Sequence, residues 1–360
     1  MAAAEPVQAS TLWSAYQSDR PFKSKRLSCG LPSINDALGG GLDYGCISCL
    51  TAGLSDVGAS DLKLAWLVEH LLSEQNATAA FVDTTLAFDV RKMHTLLLKV
   101  LQERSRNETD AFQALDRLKI MKVFDFVGLT ESVAEVQEGL EERDREAILG
   151  PKERVVHQKC TIDDNDEDDE DEMLDSPLPL LLQPQAQPTK SSPLSHYDPN
   201  QHGRSPGLLI IDNIAHVTTP MLKTSFAQGQ ILLTSFMHSL SRLARMHNLC
   251  VLLINNTTNY NPAQQHGSKE EPPSIFASCP LRPALGKIFS HLLDLHLLTH
   301  TLPKTADDAR IAYSLGYRDV AGRKADWGHI VEVLQDRYDG RVGSWAAFDV
   351  GTDGRLRDIA

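Results

Sequence analysis

The stretch "GCISCLTAGLSDVGAS", residues 45–60, decides how the rest of the chain is read. Its first half, "GCISCLTA", is an apolar run that reads as a buried strand, and it opens into a loop carrying Gly53, Gly58 and Ser60. Those three sit at the offsets of the phosphate-binding pattern G-x-x-x-x-G-K-[ST]. An amphipathic helical pattern follows over 60–75, with Leu62, Leu64, Leu67, Leu71 and Leu72 on one side. In such a strand-loop-helix unit the backbone N–H groups of the loop wrap a phosphate, helped by the positive end of the helix. The pattern's lysine reaches the terminal phosphates and its hydroxyl binds magnesium. Here Ala59 stands where the lysine belongs.

Working outward, apolar runs and helical patterns alternate. Strands are expected over 78–84, 118–126, 207–213 and 249–255, and helices over 88–104, 130–147 and 231–248. This alternation predicts the α/β class, a mostly parallel central sheet flanked by helices. Past residue 290 the pattern changes. Segments 292–299, 309–316, 329–338 and 345–350 read as strands joined by turns without helices, extending the sheet with antiparallel C-terminal strands. Four regions result: a flexible N-terminal segment (1–26), a first part of the core (27–146), an insertion (147–206) and a second part of the core (207–360). The insertion is acidic, then rich in Pro and Gln, and is expected to be disordered. Its apolar island, "MLDSPLPLLL" (173–182), reads either as sticky linker or as a docking segment with Ser176 as a phosphorylation point.

The formal net charge is −13, but ten acidic residues fall between Asp163 and Asp175, so the remainder is close to neutral. A neutral body argues against tight nonspecific nucleic-acid binding by this chain alone, since phosphate contacts need clustered Lys and Arg. The six cysteines, at 29, 46, 49, 160, 250 and 279, are scattered, as expected in a reducing compartment. Cys46 and Cys49 form one C-x-x-C, but strand alternation turns them to opposite faces, which speaks against a metal or redox pair. No apolar signal core or run of eighteen apolar residues occurs, so a soluble, intracellular protein without membrane association is expected.

Nucleotide sites of this kind place a second acid at the end of a later apolar strand, and "LLIIDN" supplies Asp212. Two departures weaken an ATPase reading. Ala59 removes the cation that neutralises charge on the terminal phosphate. The strand at 78–84 is followed by Thr84 and Thr85 where a water-activating carboxylate belongs, and a hydroxyl is no base at neutral pH. Lys63, one turn into the helix, reads as a solvated surface lysine, with a substitute for the missing cation as the alternative. ATP and Mg binding is therefore expected to be weak or absent, with Ser60 and Asp212 as the magnesium ligands if nucleotide binds.

Taken in order, these segments resemble the core of RecA-type recombinases, and more closely the eukaryotic recombinase paralogues. "LSCGLPSINDALGGGLDYGCIS" (27–48) is similar to the family's leading segment, "FVDTTLAFDVRKM" to its second strand and helix, and "LLIIDNIAHV" to its second-acid strand. "LSRLARMHNLCVLLINNTT" is similar to the helix and strand ending in a polar pair that senses the phosphate, here Asn255 and Asn256. "PLRPALGKIFSHLLDLHLL" (280–298) resembles the segment after the second DNA-binding loop, and "RPALGK" is especially like the delta type. The short N-terminal region is more like the X-ray-cross-complementing type. The resemblance implies a RecA-like P-loop ATPase core. It implies homologous-recombination repair in the nucleus, within a complex of recombinase paralogues that assists the main recombinase on single-stranded DNA.

The same resemblance implies further sites. In the family, an apolar-x-x-Ala segment before the core adds to a neighbour's sheet, and "TLWSAY" offers Leu12 and Ala15 for it. The family's mobile DNA-contacting loops correspond to about 217–230 and 258–283, which hold Lys223, Lys269 and Arg282, with Phe226, Tyr260 and Phe276 as the aromatics. That surface is thin for single-strand binding, so DNA contact is expected to be weak or confined to a complex. Two alternatives stay open on sequence. One is a RecA-like Elongator accessory subunit of tRNA modification, whose leading segments also read Gly-Leu-Pro-Ser. The other is an active DNA-dependent ATPase that borrows a cation from a neighbouring subunit.

Overall fold

The structure is a computed structural model that describes residues 26–54, 56–149, 207–259, 273–313, 324–338 and 340–359, together with 8, 10 and 11. Two compact units are present, one of residues 1–142 with 205–360 and one of 143–204. Of the second, only 143–149 are described, the last turns of a helix. The expectations for the insertion and its apolar island thus lie outside the described residues, as do Leu12, Ala15, Tyr260 and Lys269.

The strands are β1 (Arg26–Leu27), β2 (Leu42–Asp43), β3 (Ile47–Ala52), β4 (Thr78–Asp83), β5 (Leu118–Lys122), β6 (Gly207–Asp212) and β7 (Cys250–Asn259). They continue with β8 (Leu281–Pro283), β9 (Leu295–Pro303), β10 (Trp327–Asp336), β11 (Trp345–Val350) and β12 (Leu356–Asp358). The main sheet runs β12-β11-β10-β9-β3-β7-β6-β4-β5, with β8 hydrogen-bonded to β7. From β9 through β5 the pairs are parallel, while β9-β10, β10-β11 and β11-β12 are antiparallel. This is the expected α/β class, a mostly parallel sheet flanked by helices with antiparallel C-terminal strands.

The helices are α1 (Pro32–Ala37), α2 (Val57–Ser73), α3 (Val90–Glu103), α4 (Thr109–Asp116) and α5 (Phe126–Leu149). The later ones are α6 (Ile214–Thr224), α7 (Phe226–His247), α8 (Gly286–Ser290) and α9 (Ala306–Tyr313). Because strand side chains alternate, the sheet feeds two cores. Leu50, Phe81, Ile210 and Leu252 pack under Leu62 and Trp66 of α2 and Leu97 of α3. Cys49, Val82, Ile211 and Leu253 pack under Leu129 of α5 and Leu233 and Leu240 of α7. Both faces of the central strands are thus dry, which is why β3 and β6 read as continuous apolar runs. Cys46 and Cys49 are buried and free, and burial pushes the Cys49 thiol up to about 12. Gly41 (φ +124) closes the leading turn, where a Cβ would lie 2.1 Å from the Leu27 carbonyl oxygen. Arg341 ties that turn to β10 by donating to the Leu38 carbonyl (2.7 Å), Asp43 (3.0 Å) and Asp336 (2.8 Å).

Three expectations are corrected. Residues 309–316 were expected to form a strand, but Ala306–Tyr313 is a helix, opened by Asp307 and Asp308 in its first turn. The tail is therefore not helix-free. Residues 217–230 were expected to be a mobile loop, but they lie in α6 and the start of α7. In these two helices Ile214, Val217, Leu233 and Phe236 reach the core at helical spacing. Finally, α4 fills a stretch with no assigned element, burying Ala111 and Ala114.

Candidate functional site: a phosphate loop that closes on itself

The carboxyl ends of β3, β6 and β7 bring together most of the sequence-predicted site. Thr51 and Ala52 lie in register with Asn255 and Asn256, and Asp212 with Ile254. Gly53, Gly58, Ala59 and Ser60 therefore stand at the same sheet edge as Asp212, Asn255 and Asn256. The loop turns where expected, but α2 begins at Val57, so Gly58, Ala59 and Ser60 belong to its first turn.

What fills that turn is Asp56. It is the N-cap of α2, in extended backbone conformation, and its carboxylate accepts from the Ala59 N–H at 3.2 Å. This amide is one of those that a phosphate would take. The Thr299 hydroxyl of β9 donates to the other carboxylate oxygen at 2.8 Å, and His329 Nδ1 of β10 lies 3.4 Å from the first. Burial opposes ionisation of Asp56, but the His329 ring and the bonds from Thr299 and Ala59 outweigh it, and its pKa is lowered. Gly58 serves the same arrangement. A Cβ there would lie 2.3 Å from His329 Nδ1, so the absent side chain admits an imidazole, itself stacked on Phe348.

The acid of the site is likewise engaged. Asp212 is buried at the end of β6 and ion-paired with Lys63, whose side chain is only 16% exposed. The expectation of a solvated Lys63 is thus wrong. Three residues beyond Ser60, the α2 helix carries its ammonium over the sheet edge to the carboxylate. Asn213, joined to Asp212 by a cis peptide bond, donates through Nδ2 to Asn256 Oδ1 at 2.6 Å. Thr84 is buried and braces the same turn, donating to the Asn213 carbonyl (2.9 Å) and accepting from its N–H (2.8 Å). The nearest carboxylate on β4 is Asp83, turned into its own loop. It accepts from the N–H groups of Thr85, Ala87 and Phe88 and from the Thr85 hydroxyl, which leaves it a structural role. Asn255 donates to Thr51 Oγ1 (3.3 Å), which also meets His296 Nε2 (2.8 Å). Burial lowers the His296 pKa to about 4, so this buried chain is neutral.

No family model matches the chain, and the search of curated proteins finds no match. Among solved structures, the crystal structure of the RadB recombinase is similar with a TM-score of 0.49 and 16% identity, covering 93% of this chain and 100% of that one. The functional reading rests on the residues rather than on that likeness.

The residues present fit a Mg-nucleotide only if two internal contacts are broken, Asp56 from the helix amide and Lys63 from Asp212. The proposed DNA contacts are dispersed. Lys223 is exposed in the last turn of α6, and Arg282 is half-buried on β8, paired in register with Thr258. Phe226 is exposed, whereas Phe276 packs edge-on against His300 and Trp345 rather than standing free for a base. Sequence reasoning missed Asp56, Thr299 and His329. The first carried a signal, an Asp directly before an apolar helical pattern. The other two come from strands more than two hundred residues away and carried none.

Proposed function

We propose that this chain acts in DNA repair by homologous recombination, as a non-catalytic subunit of a recombinase paralogue complex that assists recombinase assembly on single-stranded DNA in the nucleus. The recombination assignment is supported by the ordered segments resembling that family. The observation that carries the non-catalytic part is the double internal occupation, Asp56 on the Ala59 N–H and Lys63 on Asp212. A loop that satisfies its own anion site and its own acid keeps its shape without ATP or Mg. What it then offers is surface. Leu54 is 86% exposed, Val57 54% and Leu86 51%, all on loops or helix starts at the carboxyl ends of the parallel strands. Such apolar side chains suit a protein partner at the edge where a nucleotide would otherwise sit.

Radiolabelled ATP crosslinking to the purified chain tests the site, with Ser60→Ala and Asp212→Ala beside the wild type. No specific labelling is expected. Labelling that both substitutions abolish would overturn the non-catalytic reading. Affinity purification with mass spectrometry tests the partners, and recovery of other recombinase paralogues is expected, reduced by Leu54→Asp. Recovery of Elongator subunits instead would overturn the recombination assignment.

A further inference from the structure

Away from the loop, on the opposite face of the sheet, three buried side chains meet. His300 of β9 pairs in register with Ile330, and Glu332 lies two residues further along β10, so both project to one face. Cys279, in the segment leading into β8, is buried against them. One ligand-type atom from each of Cys279, His300 and Glu332 lies within 4.8 Å of the other two. Exposure is 3% for Cys279, 4% for His300 and 1% for Glu332.

Cys279 is met by Ser274 and the Leu281 backbone, but the other two members lack what buried polar groups ordinarily have. Neither ring nitrogen of His300 has a hydrogen-bond partner, and neither does Glu332 Oε1. Leaving such atoms unpaired is costly in a dry environment. The two groups face each other within ion-pair reach, 3.5 Å between His300 Nε2 and Glu332 Oε1, but outside hydrogen-bond geometry. The other carboxylate oxygen is held in place, accepting from the Ile275 N–H at 3.1 Å. His300 is fixed edge-on by Phe276 at a centroid distance of 5.1 Å. The cluster is therefore oriented and short of a shared partner.

We propose that Cys279, His300 and Glu332 hold a zinc ion. Thiolate, imidazole and carboxylate together are a zinc donor set, since hard cations such as Mg and Ca avoid sulfur. Zinc bonds of about 2.0–2.3 Å at tetrahedral angles require ligand atoms roughly 3.3–3.6 Å apart. The His300–Glu332 separation already meets this, and Cys279 needs an inward shift of roughly 1 Å at most. The carboxylate oxygen held by Ile275 supplies the supporting contact that metal ligands ordinarily have. Binding converts the Cys279 thiol to thiolate and releases its proton to solvent. Three protein ligands leave a fourth position for water. The ion would pin the segment carrying Ser274 to Cys279 onto β9 and β10, and so fix the approach to the β7-β8 hairpin that bears Arg282.

The test uses the full chain with any histidine tag removed. Zinc is measured by elemental mass spectrometry as purified and after chelator stripping and repletion, and cobalt(II) is added to the stripped protein. About one zinc per chain is expected, with a thiolate-to-cobalt charge-transfer band in the near ultraviolet. In Cys279→Ser, close to the native shape, that band should vanish and zinc content should fall several-fold. A wild-type chain that takes up neither metal after stripping would overturn the proposal. So would a cobalt band and zinc content that Cys279→Ser leaves unchanged.

Discussion

The loop around Asp56 and the cluster around Glu332 lie on opposite faces of one sheet, and each draws on β9 and β10. At the loop, carboxylates that a ligand would be expected to engage are already met, Asp56 by Ala59 N–H, Thr299 and His329, and Asp212 by Lys63. His329 Nδ1 and Asn255 Oδ1 there lack hydrogen-bond partners but are far from converging on one another, whereas at the cluster both His300 nitrogens and Glu332 Oε1 lack them around one point. The first region has a ligand motif whose acids are occupied from within; the second has no motif but gathers its unpaired atoms around one point. A buried site's need for a ligand is thus better measured by whether its unpaired polar atoms converge than by the pattern of its glycines.

The largest blow to this contrast should come from Lys63. Lys63→Met leaves Asp212 buried without a counter-ion, and the expected loss is about 3–5 kcal/mol in denaturant unfolding. Lys63→Met with Asp212→Leu should recover most of it. If the single change costs nothing, Asp212 is free for a metal and the loop is less self-contained than described. Next comes Gly58→Ala, whose Cβ would meet His329 Nδ1 at 2.3 Å. Displacing that ring is expected to cost roughly 1–3 kcal/mol, measured by thermal melts. Adding His329→Ala should remove most of that penalty, because the clash goes with the ring.

The smallest effects belong to Asp56. Asp56→Ala removes the N-cap and should cost ~0.5–2 kcal/mol. Its pH signature is more specific. The folded pKa is lowered, so the stabilisation is present in full above the unfolded value of about 3.9 and is lost as pH falls through the folded value. Melting temperature should thus fall on acidification below about pH 4. Asp56→Asn, which keeps an acceptor for the Ala59 N–H but cannot titrate, should flatten that fall. A slope unchanged by the substitution would remove Asp56 from its place in the loop.

Much of the fold was legible because β3, β4, β6 and β7 are buried on both faces and so spell continuous apolar runs. The exceptions are instructive. Residues 309–316 carry alternating apolar positions that suit a strand, yet two aspartates before them start a helix. The stretch 217–230 resembles a family loop, although Val217, Met221 and Leu222 are spaced for a helix face. At the site, the glycines, Ser60 and Asp212 were legible as a motif, and their placement at one sheet edge followed from strand order. Their partners were not legible. Whether Lys63 meets solvent or Asp212, and whether Gly58 faces a phosphate or His329, depends on tertiary contacts that no local pattern encodes. The Cys279, His300 and Glu332 cluster was invisible for the same reason, its members being scattered over fifty residues and two strands.

The most direct test of the contrast is the melting temperature of one stripped preparation, measured alone, with Mg-ATP and with zinc, because a ligand that binds the folded state raises its stability. The account predicts a rise with zinc that Cys279→Ser abolishes, and none with Mg-ATP. A rise with Mg-ATP that Ser60→Ala abolishes, with no response to zinc, would contradict it.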